Sequence, residues 1–254
     1  MAKVLAYAVC HCIITAVEQQ LLDKKAVVTG ASRGIGRAVV ELFVAHGAEV
    51  FCCARSREDL EDLQREVSGA DGVVHIKAVD LALPEEIESF FDFVSEHTAS
   101  LDTLVNSAGI FEKAKIEETS EAVFNRVMNL NLKAPLLVCR EAINYLRKAE
   151  SATIVNISSL SGCFGLQKFP GFGSYDISKY GLWGLTEILA LELAEYGIRV
   201  NQVSPSGVDT DMFRQASPPG MEPLLSPEDV ARSVLYLACE QSAPLSGENL
   251  RLFG

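Results

Sequence analysis

The sequence predicts an α/β fold: one doubly wound parallel sheet with helices on both of its faces. Short apolar segments alternate with longer helix-like segments from residue 24 onward. Such an alternation implies right-handed β-α-β crossovers and a buried parallel sheet. No linker, composition shift or internal repeat interrupts the series. We therefore predict one domain over residues 22–254, preceded by a helical extension over residues 1–21.

Six apolar segments are predicted as strands, because parallel strands buried on both faces are continuously apolar. They are residues 25–29, 48–54, 73–79, 101–105, 153–157 and 199–203. Six helices are predicted over residues 34–46, 57–67, 84–97, 121–146, 174–196 and 227–239. Gly47 ends the first helix and Pro84 occupies the first turn of the third, positions that these residue types favour.

The composition is that of a globular protein with an acidic surface: 48% of the residues are hydrophobic, 22% are charged, and the formal net charge is −12. This charge repels phosphodiester backbones, so no nucleic-acid partner is predicted. The seven cysteines have no regular spacing, which favours a reduced, cytoplasmic protein. Cys10, His11 and Cys12 lack a second pair of ligands, so no metal site is predicted.

Residues 4–17 form an apolar segment that is shorter than the roughly 20 residues needed to cross a bilayer. One helical face contains Leu5, Val9, Cys12, Ala16 and Gln20. This pattern favours a helix packed on the domain or on a neighbouring subunit. Membrane contact through residues 1–20 is the alternative interpretation.

A glycine-rich loop joins the first predicted strand to the first predicted helix. Glycines allow the backbone to approach a pyrophosphate, and the helix N-terminus supplies free N–H groups and the positive end of the helix dipole. A structural turn also requires glycine, but a position between strand and helix favours dinucleotide binding. The predicted binding residues of this loop are Gly30, Ser32, Arg33, Gly34, Ile35 and Gly36.

The end of the second predicted strand indicates which dinucleotide binds. Enzymes that use NAD place a carboxylate there to hold the ribose hydroxyls. This chain has Ala54 at that position, followed by Arg55, while Arg33 lies in the glycine-rich loop. Two guanidinium groups suit a 2′-phosphate, so the predicted cofactor is NADP(H).

Tyr175 and Lys179 are four residues apart and share one face of a predicted helix. A free tyrosine has a pKa of about 10, which is too high for efficient proton exchange near neutrality. A nearby lysine charge favours the phenolate and lowers the pKa. The pair alone is common by chance, so it indicates a catalytic site only in the company of other motifs.

Five motifs follow one another along the chain: residues 29–36 (TGASRGIG), 106–109 (NSAG), 154–159 (IVNISS), 175–179 (YDISK) and 205–210 (PSGVDT). Their types and order resemble those of the short-chain dehydrogenase/reductase family. The resemblance extends over about residues 22–250. It implies a Rossmann-type fold and an oxidoreductase that interconverts a carbonyl and a secondary alcohol.

The resemblance implies the catalytic roles of four residues. Tyr175 is the general acid and base, and Lys179 binds the nicotinamide ribose and depresses the tyrosine pKa. Ser159 matches the serine that holds the substrate oxygen. Asn131 matches the asparagine that supports a proton-relay water beside the lysine.

Neighbouring residues offer alternatives for two of these roles. Ser158 precedes Ser159, but alternation along a strand end points the two side chains apart, so Ser158 is predicted to be structural. Asn129 lies two residues before Asn131 and is the less favoured of the two asparagines.

The resemblance also implies contacts with the cofactor. The residues concerned are Asp80, Leu81, Asn106, Ala108, Gly109, Pro205, Val208 and Thr210. Asp80 and Leu81 resemble the pair that contacts the adenine. For Asn106, and for Asn201 further along the chain, the alternative role is structural: each ties strands together.

The chain departs from the family pattern in three places. Ser107 replaces an asparagine, which puts little in doubt. Ser206 replaces the glycine that normally follows the proline and is expected to crowd the backbone near the nicotinamide, unless Gly207 supplies the missing freedom. The chain ends at Phe253 and Gly254 without the usual Asp-Gly-Gly, which questions the family's C-terminal subunit contact.

Two segments bear on the substrate. The loop over residues 163–174 contains Phe164, Phe169 and Phe172, which either line an apolar pocket or pack the loop onto the domain. The segment over residues 212–225 is short for the family's substrate lid. A short lid predicts an open cleft and broad specificity.

The predicted function is NADP(H)-dependent interconversion of a small-molecule carbonyl and a secondary alcohol. A 3-oxoacyl-[acyl-carrier-protein] reductase is the first alternative; the acidic charge and Tyr196, where such reductases have arginine, disfavour it, whereas Arg147 and Lys148 favour it. A non-catalytic NADP(H)-binding sensor is the alternative from another class. The presence of Tyr175 and Lys179 disfavours the sensor.

Relatives pair two of their helices across subunits. The corresponding helices here are those around residues 121–146 and 174–196. We therefore predict a homotetramer or a homodimer.

Overall fold

Seven parallel strands form the sheet in the computed structural model, which describes residues 19–218 and 220–254. The strands are β1 (Lys25–Thr29), β2 (Glu49–Ala54), β3 (Val73–Ala78), β4 (Thr103–Asn106), β5 (Ala152–Ile157), β6 (Ile198–Pro205) and β7 (Asn249–Leu252). Their order across the sheet is β3-β2-β1-β4-β5-β6-β7. The strand order reverses between β1 and β4, which is where open sheets of this kind bind ligands.

Helices of the described chain cover both faces of the sheet. They are α1 (Gly34–Ala45), α2 (Arg57–Glu66), α3 (Pro84–Ser95), α4 (Glu121–Met128), α5 (Ala134–Leu146), α6 (Gly173–Glu192), α7 (Asp211–Ala216) and α8 (Pro227–Ala238). Apolar residues of α1, α2 and α8 pack on one face, and those of α3, α5 and α6 pack on the other. Because both faces are covered, β4 and β5 are buried along their whole length.

The predicted fold class is confirmed, and each of the six predicted strands is present with bounds that differ by two residues or fewer. The predicted helix over residues 121–146 is wrong in one respect: a π-helical turn, Asn129–Lys133, separates α4 from α5. Strand β7 and helix α7 were not predicted from the sequence. These elements have only four and six residues, too few for a periodic pattern to stand out.

The predicted N-terminal extension lies largely outside the described residues, as do Cys10, His11 and Cys12. Leu21 is buried, and its N–H donates to the carbonyl oxygen of His46 at 3.1 Å. No helix formed by residues 19–218 and 220–254 combines the length and apolar composition that a membrane crossing requires. The five cysteines within these ranges are free and buried.

A line of polar side chains, termed the polar row, crosses the sheet at one level and consists of Thr29, Asn106, Asn156, Gln202 and Asn249. Asn106 Nδ2 donates to Asn156 Oδ1 at 2.9 Å. Asn156 Nδ2 donates in turn to Thr186 Oγ1 on α6, also at 2.9 Å. These bonds fix β4, β5 and α6 relative to one another beneath the carboxyl ends of the strands.

We expect Asn156→Ala to lower the free energy of unfolding by about 2 to 4 kcal/mol, because it removes two buried hydrogen bonds and leaves a cavity. Urea unfolding followed by circular dichroism measures this change. Asn125→Ala is the matched control, since Asn125 is exposed on α4, and it should change the stability by less than about 0.5 kcal/mol. Equal effects of the two variants would contradict a structural role for the polar row.

Candidate active site

A cleft of about 810 Å³ opens at the carboxyl ends of β1 and β4. Its walls contain twelve of the predicted cofactor-binding residues: Gly30, Ser32, Arg33, Gly34, Ile35, Gly36, Arg55, Asp80, Leu81, Ala108, Gly109 and Thr210. The structure therefore brings together residues that are far apart in the sequence. The cleft lies at the switch point of the sheet, where a dinucleotide is expected.

The glycine-rich loop contacts neighbouring backbone too closely for side chains. A Cβ atom at Gly30, where φ is +72°, would lie 2.7 Å from Ala108 Cα. A Cβ at Gly36 would lie 2.3 Å from the carbonyl oxygen of Gly30. Helix α1 begins within this loop, at Gly34. Bare backbone at a helix N-terminus fits the pyrophosphate of a dinucleotide.

Thr29 holds the end of β4 beside this loop and was not among the predicted site residues. Its Oγ1 accepts hydrogen bonds from the N–H groups of Ser107 at 3.1 Å and Ala108 at 3.3 Å. The same hydroxyl donates to the carbonyl oxygen of Val105. The threonine precedes the first glycine of the motif, but nothing in the sequence reveals its partners on β4.

The two arginines predicted to bind a 2′-phosphate both lie on the cleft wall. Arg55 is exposed and follows Ala54, and no carboxylate of the described chain pairs with it. Arg33 is paired with Asp211, with 3.3 Å between Nη1 and Oδ2. The cleft therefore presents one unpaired guanidinium and one that is already engaged.

Tyr175, Lys179 and Ser159 meet where β5 ends and α6 begins. Tyr175 is 8% exposed, and its hydroxyl lies beside that of Ser159. Lys179 is 5% exposed, donates from Nζ to the carbonyl oxygen of Ile157 at 3.0 Å, and lies 5.6 Å from the centroid of the Tyr175 ring. Helical spacing thus places the phenol and the ammonium side by side.

Burial dominates the ionisation of both groups. It raises the pKa of Tyr175 to about 12, although the neighbouring Ser159 hydroxyl acts in the opposite direction. It lowers the pKa of Lys179 to about 8. The direction for Tyr175 is opposite to the one expected from the lysine charge, because desolvation penalises the phenolate more than the neighbours stabilise it. At neutral pH the pair is a neutral phenol beside an ammonium.

Asn131 lies in the π-helical turn between α4 and α5, a feature common at functional sites. Its Oδ1 accepts from the N–H of Ile110 at 2.8 Å, and its Nδ2 donates to Ser178 Oγ at 3.1 Å. A Cβ atom at Gly109 would lie 3.3 Å from Asn131 Oδ1 and 3.8 Å from Lys179 Nζ. The structure therefore brings the asparagine amide and the lysine to the same glycine.

Three further residues near Tyr175 were not among the predicted site residues. Phe111 lines the cleft and packs its ring edge-on against Tyr175, with 5.4 Å between the centroids. Ser178 is fully buried and donates to the carbonyl oxygen of Tyr175 at 2.7 Å. A Cβ at Gly162 would lie 2.7 Å from the backbone of Lys179. None of these residues carries a sequence signal, because each acts only through a tertiary contact.

Asn106, Pro205 and Val208 do not line the cleft, and neither do Asn131, Ser159, Tyr175 and Lys179. Asn106 joins β4 to β5, and Asn201 binds the backbone of Leu245 and Glu248. These bonds agree with the structural alternative for both asparagines. Pro205 ends β6, and Val208 is buried and forms a bridge to Leu225.

Ser206 does not crowd the cleft through its hydroxyl, which donates to the carbonyl oxygen of Phe253 at 3.1 Å. Its N–H donates to the carbonyl oxygen of Leu252 at 2.8 Å. A Cβ at the following Gly207 would lie 2.4 Å from the Phe213 ring. The serine thus fastens the C-terminal residues to the end of β6.

The aromatic residues of the loop over residues 163–174 behave differently from one another. Phe172 packs against Phe111 at 4.6 Å and against Phe169 at 5.6 Å between ring centroids. Phe164 is 91% exposed. Phe172 therefore fastens the loop onto the wall of the site, as the second of the two predicted alternatives requires.

The family model for short chain dehydrogenases matches residues 24–219. The match covers most of the chain and includes the glycine-rich loop and the tyrosine–lysine pair. This protein belongs to the short-chain dehydrogenase family and is an oxidoreductase of that family.

Individual relatives agree with this assignment. The chain is 33% identical to a 3-oxoacyl-[acyl-carrier-protein] reductase of Thermotoga maritima, over 92% of this chain and 98% of that protein. It is 30% identical to 3beta-hydroxysteroid dehydrogenase 2 of Eggerthella lenta, over 92% and 95% of the two chains. A solved dehydrogenase/reductase of Sinorhizobium meliloti 1021 is 34% identical, covers 93% of this chain and 96% of its own, and superposes with a TM-score of 0.84.

We expect Gly36→Ala to lower the free energy of unfolding by about 1 to 3 kcal/mol, as overpacking does, and to weaken NADPH binding. The reason is the clash of the new methyl group with the Gly30 carbonyl. Gly184→Ala on α6 is the matched control, since no atom lies within 4 Å of the position that its Cβ would take, and it should stabilise the helix by up to about 1 kcal/mol. Thermal unfolding and fluorescence titration with NADPH measure both effects. Tight NADPH binding by Gly36→Ala would contradict the close-approach role.

Proposed function

We propose that the protein uses NADP(H) to interconvert a carbonyl and a secondary alcohol, with Tyr175 as general acid and base. The observation that carries this proposal is the buried Tyr175 hydroxyl, which lies beside Ser159 and is flanked by the Lys179 ammonium. When bound, the nicotinamide supplies or accepts the hydride. The side chains of this protein bind the substrate oxygen atom and transfer its proton.

In the reducing direction Tyr175 donates its phenolic proton to the carbonyl oxygen. The raised pKa keeps this proton in place at neutral pH. Ser159 donates a hydrogen bond to the same oxygen and fixes its position. The charge of Lys179 stabilises the phenolate that is left behind, because an opposite charge nearby favours the ionised form.

Asn131 and Lys179 serve to return a proton to the phenolate. Their side chains both approach Gly109, and a water bound beside them would carry the proton to the tyrosine. Two hydrogen bonds between the Asn131 side chain and the backbone of Ile110 fix the orientation of the amide. In the oxidising direction the same groups carry the proton outward.

The choice of NADP(H) rests on the two arginines of the cleft. Ala54 occupies the place of the acid found in NAD enzymes, and Arg55, which follows it on the cleft wall, has no carboxylate partner among the described residues. Arg33 lies in the glycine-rich loop a short distance away. Guanidinium groups bind phosphate oxygens in bidentate fashion, so both suit the 2′-phosphate.

Apolar side chains on two helices support a homotetramer or a homodimer. Leu136 on α5 and Ile177, Ile188 and Leu191 on α6 are exposed. Large apolar side chains left exposed on helices are frequent at subunit interfaces when they join into one patch. The free thiols of the described chain support a cytoplasmic location, because cytosolic thiols stay reduced.

Reduction of a 3-oxoacyl group on an acyl carrier protein is the second candidate. The Thermotoga maritima relative favours it. The Arg147 guanidinium is stacked on the Tyr196 ring at 3.7 Å and keeps its charge there, so it also favours this candidate. The formal net charge of −12 disfavours it, because an acidic carrier is repelled by an acidic surface. Turnover on an acyl-carrier substrate well above that on small ketones would make this reductase the favoured function.

Tyr175→Phe should bind NADPH as the wild type does, while turnover falls about 100- to 10,000-fold because the general acid is lost. NADPH consumption over a panel of ketones, quinones and acyl thioesters measures turnover, and fluorescence titration measures binding. Tyr180→Phe is the matched control, since Tyr180 lies on the same helix and its hydroxyl bonds to Cys163. Near-normal turnover by Tyr175→Phe would remove the residue from this role, and a wild type that binds NADPH without any turnover would favour the sensor.

The double variant with Arg33→Gln and Arg55→Gln should bind NADPH at least about tenfold more weakly, because charge-assisted hydrogen bonds are lost. Its affinity for NADH should change little. Calorimetry with each cofactor measures the two affinities. Arg57→Gln serves as the control, because Arg57 is exposed on α2 and pairs with Glu61 at 2.9 Å. An equal loss for NADPH and NADH would overturn the 2′-phosphate assignment.

A further inference from the structure

A chain of four charged side chains lies at the rim of the cleft. Arg33 Nη1 contacts Asp211 Oδ2 at 3.3 Å. The other oxygen of Asp211 contacts Arg214 at 3.1 Å, and Arg214 also contacts Asp209 at 2.6 Å. One carboxylate is thus shared between an arginine of the glycine-rich loop and an arginine of α7.

The position of Asp211 is fixed by the residue before it. Thr210 caps α7, since its hydroxyl accepts from the N–H of Phe213 at 3.3 Å. The methyl group of Thr210 faces the glycine-rich loop, where a Cβ at Gly34 would lie only 3.1 Å from it. This packing places the first residue of α7 opposite Arg33.

We propose that Asp211 is an internal competitor for the 2′-phosphate at Arg33 and thereby sets the strength of the NADP(H) preference. The inference rests on the proposed function, in which Arg33 binds that phosphate. NAD(H) has no 2′-phosphate and leaves the pair of Arg33 and Asp211 intact. NADP(H) has to displace Asp211 before Arg33 engages the phosphate.

The geometry makes this exchange feasible. The side chains of Arg33 and Asp211 are 72% and 65% exposed, and exposed ion pairs are weak. Their contact uses a single nitrogen and a single oxygen, whereas a phosphate offers a guanidinium two parallel hydrogen bonds and a larger charge. Asp211 keeps Arg214 as its partner after the exchange, so an arginine still balances the charge of its carboxylate.

The test compares two variants that each remove one negative charge from the same rim. Asp211→Asn removes the partner of Arg33, whereas Asp209→Asn removes a carboxylate that pairs only with Arg214 among the described ion pairs. The probes are adenosine 2′,5′-bisphosphate and adenosine 5′-monophosphate, titrated calorimetrically into the full-length protein. We expect Asp211→Asn to strengthen binding of the bisphosphate about two- to fivefold, the range that an exposed ion pair supports. Binding of the monophosphate should not change.

A double-mutant cycle isolates the pair. In the Arg33→Gln background, Asp211→Asn should no longer strengthen binding of the bisphosphate. Equal gains from Asp209→Asn and Asp211→Asn, or a gain that persists without Arg33, would show a general charge effect and overturn the inference. Circular dichroism of each variant confirms that it is folded before the titration.

The same titrations separate the inference from the proposed function. A wild type that binds both probes equally would overturn the 2′-phosphate assignment itself. A wild type that prefers the bisphosphate, together with an unchanged affinity in Asp211→Asn, would overturn only the role of Asp211.

Discussion

The buried ammonium of Lys179 is the constraint on which the site depends. Removing a charge from water is costly unless hydrogen bonds replace the lost hydration, and here the carbonyl oxygen of Ile157 accepts one such bond. The surrounding chain leaves space for the lysine: Gly162 has no side chain where α6 presses on it, and Gly109 has none where Nζ points. The π-helical turn brings Asn131 to the same place. The proposed catalytic motif is therefore a packing arrangement as much as a set of reactive groups.

An acidic protein that binds an anionic cofactor has to arrange its positive charges locally. Five arginines line the cleft of the described chain, and carboxylates engage Arg33, Arg37, Arg126 and Arg214. Arg55 has no such partner. Pairing with carboxylates lowers the positive potential that these four arginines present to an anion, whereas the charge of Arg55 is not offset in this way. Selectivity then comes from position and geometry more than from net charge.

The sequence predicted the sheet, its helices and most of the cleft wall because these follow from local patterns. Apolar segments, glycines between strand and helix, and the four-residue spacing of Tyr175 and Lys179 are all visible within a few residues. The pair of Arg33 and Asp211 joins positions 178 apart, and no local pattern records it. The net pKa direction of Tyr175 was missed for the same reason, since it depends on burial that only the folded chain creates. Strand β7 lacks a pattern because four residues at a sheet edge need little apolar character.

The polar row has a consequence for how the sheet assembles. Sliding β5 past β4 by a single residue would turn Asn156 away from Asn106 and carry Val155 or Ile157 into the row. Such a slip would break the bonds of Asn156 to Asn106 on β4 and to Thr186 on α6. Parallel strands pair slowly and without hairpins to guide them. The buried amide hydrogen bonds therefore favour the native register over misaligned intermediates. Burying these polar groups costs stability, but their hydrogen bonds specify a single alignment of the strands beneath the candidate active site.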